Sequence, residues 1–105
     1  MWFIFPQIAG LGHSPMAQRY AISGRSEATA YANHPVLGAR LRECTGLVNM
    51  VDGLTIREIF GSPDDLKFCS SMTLFSLCAS HPQIYRTALD KYFDGKDDAL
   101  TAARL

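Results

Sequence analysis

The 105-residue chain has no run of like charge: ten Lys plus Arg face ten Asp plus Glu, and the formal net charge is zero. A domain that binds by neutralising phosphates shows a basic patch in its sequence, so nucleic acid is not an expected partner. Cysteine is scarce. Cys44, Cys69 and Cys78 form no CxxC pair, and the last two lie nine residues apart on one predicted helix, beyond disulfide reach along its axis. Reduced, buried, structural thiols are the expectation, in keeping with a cytoplasmic protein. No ligand spacing joins His13, His34 or His81 to these cysteines, so no metal site is expected, and no cofactor motif is present. No apolar run reaches membrane-spanning length. The apolar start MWFIFPQIAG lacks a basic n-region and is broken by Pro6 and Gln7, so it is not expected to act as a secretory signal. Strand-like alternation, repeats and flexible linkers are absent as well.

What is present is the 48% apolar content of a globular protein, in a length that suits one domain, residues 1–105. The stretch SPDDLKFCSSMTLFSLCAS, Ser62 to Ser80, reads as its central helix, about residues 63–79. Ser62 is a suitable N-cap, Pro63 fits the first helical position, and Asp64 and Asp65 complement the dipole in the first turn. Phe68, Met72, Leu74, Phe75 and Cys78 gather on one side, with Cys69, Thr73, Ser76 and Ser80 on the other. A helix apolar or small nearly all round belongs in the middle of a fold.

Around it the chain punctuates itself with turns. Ser14-Pro15 opens a helix to about Ile22, closed by Ser23-Gly24, and Ser26-Glu27 starts another that ends at His34, before Pro35. Leu37, Leu41, Cys44, Val48 and Val51 mark an amphipathic helix, and Thr55 to Glu58 has the capping-box pattern. His81-Pro82 opens a helix with the inward stripe Ile84, Tyr85, Ala88, Leu89, Tyr92 and Phe93, and Asp97 is placed to cap a last short one. Connections this short predict an all-α, compact multihelical array around the central buried helix.

Two stretches offer chemistry. On the central helix Asp64, Lys67 and Ser71 share a face and form the polar floor of a pocket roofed by Phe68 and Phe75. The plainer account has Asp64 serving the helix start, Lys67 solvated, and Ser71 bonding back to a carbonyl. In the N-terminal block, Trp2, Phe3, Phe5 and Tyr20 are able to stack on a planar ligand, with Gln7, His13 and Ser14 as hydrogen-bonding groups beside the Gly10–Gly12 turn. The plainer account makes those aromatics core. A joint site built from Trp2, Phe5, Gln7, Ser14, Tyr20, Asp64, Lys67 and Ser71 requires the glycine turn to lie beside the start of the central helix.

The blocks WFIFPQIAGLGHSPMAQRYAIS, HPVLGARLRE, EIFGSPDDLK, SSMTLF and LDKYF resemble a mostly bacterial family, the domain of unknown function 1810 (DUF1810), some of whose members carry the label calpastatin. Nothing in the chain resembles the inhibitory repeats of that protein. The resemblance covers nearly the whole chain and implies an all-helical fold of its own type, with no established activity. Relatives carry about forty further residues ahead of the tryptophan-containing block, so the chain reads as an N-terminally truncated member.

Two functions follow as expectations. The first is a non-catalytic structural or interaction module in the cytoplasm, forming a homo-oligomer through the apolar block Trp2 to Ile8. The alternative is a small-molecule site for a nucleotide or ADP-ribose-like ligand, or an N-glycoside hydrolase, with Lys67 holding a phosphate.

Overall fold

The computed structural model describes residues 4–12 and 14–105. Its described residues form seven helices and no strand: α1 (Pro15–Arg19), α2 (Arg25–Asn33), α3 (Leu37–Asn49), α4 (Ile56–Phe60), α5 (Asp64–Cys78), α6 (Gln83–Phe93) and α7 (Ala99–Ala103). The all-α expectation holds, and α5 is the centre. Phe68, Ser71, Met72, Thr73, Leu74 and Phe75 have no solvent exposure, because α2, α4, α6 and α7 all pack on this one helix. Phe68 meets Phe5 edge-on at 5.0 Å and stacks obliquely on Phe60 and Phe93, while Phe75 lies 5.7 Å from both Tyr31 and Tyr85. The inward stripe of α6 is found as expected, with Tyr85, Ala88 and Leu89 buried and Ile84, Tyr92 and Phe93 packed against them.

Side chains tie the helix ends together. Arg25 Nη1 donates to the Leu77 carbonyl at 3.0 Å and Thr29 Oγ1 to the Cys78 carbonyl at 2.8 Å, satisfying the end of α5 from α2. Lys91 from α6 donates to the Asn49 and Val51 carbonyls at the end of α3, where a cation complements the dipole. Thr55 and Glu58 form the full capping box.

Four local expectations are corrected. The first helix stops at Arg19 and not near Ile22, because Ile22 pairs with the N-terminal segment: its N–H donates to the Gln7 carbonyl, and its carbonyl accepts from Ala9 N–H, both at 2.8 Å. The second helix begins at Arg25 after an uncapped Gly24, since Ser23 Oγ bonds to Glu27 and ties the first turn down earlier than Ser26. Ser62 does not cap α5. It stands one position outside the helix, and Pro63 occupies the cap position while its carbonyl accepts from Leu66 and Lys67. The last helix is capped by Asp98, because Arg86 draws Asp97 into an ion pair at 2.9 Å. Of the Ser-Pro and His-Pro steps, Ser14 accepts from Ala17 N–H and His34 Nδ1 accepts from Val36 and Leu37 N–H, whereas α6 has no side-chain cap.

Candidate functional site

The Gln7–Ile22 pairing lays the N-terminal segment beside the first half of α5. Ile8 points into the core, 3% exposed, and its neighbour Gln7 is left half-buried on the other side. The chain then turns at Gly10, whose φ of 95° suits glycine and whose face is covered by the Arg104 guanidinium from the end of α7. This closure leaves an open cleft of about 350 Å³, lined by Gln7, Leu11 and Gly12 on one side, Pro63, Leu66, Lys67 and Ser70 on the second, and Asp98 and Leu100 on the third. The glycine turn therefore does lie beside the start of the central helix.

The polar groups of the cleft are built rather than scattered. Asp98 Oδ2 accepts from Ser70 Oγ at 3.1 Å, from Thr101 N–H at 3.2 Å and from the Thr101 hydroxyl. Its backbone N–H donates to Thr73 Oγ1 at 2.8 Å, which in turn donates to the Cys69 carbonyl. Such a network holds the carboxylate in one place. Lys67 lies 3.8 Å from Asp64 one turn earlier, an exposed-edge ion pair of modest strength. Leu66 and Leu100 stand 62% and 67% exposed at the rim. Behind the cleft the Cys69 thiol is pushed up to about 11, first by burial and then by Asp98, with Asp97 and Asp65 adding to the shift and the Thr73 hydrogen bond opposing it.

Seven of the eight residues singled out in sequence are described, and the fold disperses them. Gln7 and Lys67 share the cleft, and Asp64 holds Lys67. Phe5 is 4% exposed inside the Phe60–Phe68 cluster, so it packs core and does not face a ligand. Ser14 caps α1, and Tyr20 ends that helix beneath Arg19, whose guanidinium carbon sits 5.5 Å from the ring centroid. Ser71 is fully buried, makes no hydrogen bond, and lines no part of the cleft. Phe68 and Phe75 are equally buried and form no roof. Trp2, Phe3 and His13 lie outside the described residues. Ser70, Asp98, Leu11, Leu66 and Leu100 were not anticipated. An aspartate just ahead of the last helical run, the residue type that caps helices, is the one sequence signal for the Asp98 anchor.

A second, water-sized pit of about 20 Å³ lies between the ends of α2 and α5, lined by Asn33, Arg42, His81 and Tyr85 among others. Among the described residues no three His, Cys, Asp or Glu side chains gather as metal ligands, and no described helix is long and apolar enough to cross a membrane.

The whole chain, residues 1–105, matches the family described as "Protein of unknown function (DUF1810)". Among solved structures it is similar to the conserved hypothetical protein Rv1873 from Mycobacterium tuberculosis, with 57% identity and a TM-score of 0.97. That match covers 99% of this chain and 74% of the mycobacterial one. No curated protein matches the sequence.

Proposed function

The chain belongs to the DUF1810 family, and we propose that it is a non-catalytic binding domain whose cleft between the N-terminal turn, α5 and α7 takes a small organic molecule. The observation that carries this reading is the convergence of Gln7, Lys67, Ser70 and Asp98 with three leucines on one open space of about 350 Å³. Apolar walls with a few placed polar groups are what small-molecule sites look like, and this volume is at the low end of their range. A nucleoside-sized body fits better than a dinucleotide. The polar groups are arranged to hold rather than to react: one Asp98 oxygen anchors α7, and Asp64 is engaged with Lys67.

Self-association is supported less. Of the described residues in the apolar block, Phe5, Pro6 and Ile8 are buried in the chain's own core, and Ile4 is the exposed one, at 36%.

A thermal-shift screen of nucleosides, heterocycles and amines tests the binding reading, since a ligand at about a hundred times its Kd stabilises the folded state by about 2.7 kcal/mol. The shift should disappear in Leu66→Trp and Leu100→Trp, which fill the cleft from exposed positions. Hits that survive both variants would move the site elsewhere.

A further inference from the structure

We propose that the ligand of this cleft is an organic amine, with a compact apolar body against Leu11, Leu66 and Leu100 and an ammonium group against Asp98 Oδ1. The inference rests on the binding reading above and narrows it to one charge class.

The argument is a charge inventory of the cleft and its surroundings. Among the described residues, Lys67 and Asp98 are the charged groups of the lining, with Asp64, Asp97 and, against Gly10, the Arg104 guanidinium beside it. Lys67 already has the Asp64 carboxylate 3.8 Å away, which offsets part of its charge. Asp98 is different. Its three hydrogen bonds all fall on Oδ2, and all come from neutral donors, so they fix the carboxylate without neutralising it. Oδ1 makes no hydrogen bond among the described residues. Asp97, next in the chain, is paired with Arg86 at 2.9 Å, so that guanidinium is engaged there.

Behind the cleft the Cys69 thiol is raised first by burial and then by the Asp98 carboxylate, with smaller contributions from Asp97 and Asp65. An incoming phosphate would meet the Asp64 carboxylate beside Lys67 and face the open oxygen of Asp98. An ammonium gains a charge-assisted hydrogen bond there and places its carbon body over leucines that are otherwise 62% and 67% exposed. The Gln7 amide, half-buried on the opposite wall, supplies a neutral acceptor for a second N–H.

Matched probes of one shape and two charges test this: phenethylamine and cyclohexylmethylamine against 3-phenylpropionate and cyclohexanecarboxylate, titrated into the 15N-labelled full chain and followed by amide shifts. Amines should move residues 7–12, 63–70 and 98–100, and the carboxylates should not. Asp98→Asn is the decisive variant, because asparagine caps a helix as well as aspartate and keeps α7 in place. It should weaken amine binding by about ten- to a hundredfold, the range set by losing a hydrogen bond to a charged group. Lys67→Met should leave amine affinity equal or tighter. Carboxylate shifts at these residues without amine shifts would overturn the amine assignment and leave the binding reading standing. Amine binding unchanged in Asp98→Asn would overturn it too. Shifts from neither series would overturn both.

Discussion

Replacing Ser70 or Ser71 by alanine should move stability in opposite directions, although the two are adjacent on α5. Ser71 is fully buried and its hydroxyl has no partner. A buried hydroxyl without a hydrogen bond costs about 1–3 kcal/mol. Alanine removes that cost and adds about 0.5 kcal/mol of helix propensity, against the small void left by one oxygen atom. The expected result is a gain of about 1 kcal/mol. Ser70, 6% exposed, instead bonds to the Leu66 carbonyl at 3.2 Å and to the Asp98 carboxylate at 3.1 Å. A hydrogen bond to a charged acceptor contributes about 1.5–3 kcal/mol, so after the same propensity gain Ser70→Ala should lose about 1–2.5 kcal/mol. Urea unfolding reads both as midpoint shifts at constant slope, and heat reads them as about 4–8 °C per kcal/mol for a domain near this size. The reasoning fails if Ser71→Ala destabilises by about 1 kcal/mol or more. That outcome would mean its hydroxyl bonds back to the Lys67 carbonyl one turn earlier, the arrangement α5 would otherwise favour.

Phe75→Ala should cost about 3–5 kcal/mol, since the ring is wholly buried against Tyr31 and Tyr85, while Leu77→Ala, at a position 39% exposed, should cost far less in the same melts. Gly38→Ala should destabilise as an overpacked site does, by about 1–3 kcal/mol, because a Cβ there runs into the Ala32 carbonyl where α2 meets α3; an unchanged melting curve would deny that close approach. Alkylation of Cys69, read by mass spectrometry, should keep accelerating toward about pH 11, where an ordinary thiol of pKa about 8.5 has levelled off; a plateau near about pH 9 would remove the burial account. Glu58 is held below its usual range by the Thr55 backbone N–H and hydroxyl, so its contribution is present above the unfolded value and is lost as pH falls through the lower folded one. The stability difference between the native chain and Glu58→Gln, measured by urea unfolding, should therefore shrink on acidification; a difference that grows would reverse the sign.

Much of the fold was legible because it is decided locally. The α6 stripe, the Thr55–Glu58 box and the buried body of α5 each follow from residues within a few turns of one another. The misses occur where a distant partner chooses between neighbours. Asp97 and Asp98 are equally good caps by local rules, and Arg86 on α6 settles the matter by taking Asp97. Ile22 continues a helical pattern on paper, but two backbone hydrogen bonds to Gln7 and Ala9 pull it straight. The cleft is the extreme case. Periodicity identified Lys67 as a polar residue near the start of α5, and turn chemistry identified the Gly10–Gly12 bend, yet neither says what stands opposite. Its third wall comes from α7, the last element of the chain, which folds back onto α5 through Ser70, Thr73 and Asp98. Thr73 is a short polar residue on the small side of the central helix, with Ser70 next to that side, where spacing predicts close approach but cannot name the visitor. The carboxylate that sets the charge of the cleft was thus hidden in plain composition: one of ten acidic residues, distinguished by the three donors that fix it and by nothing in its own neighbourhood except a threonine three places on.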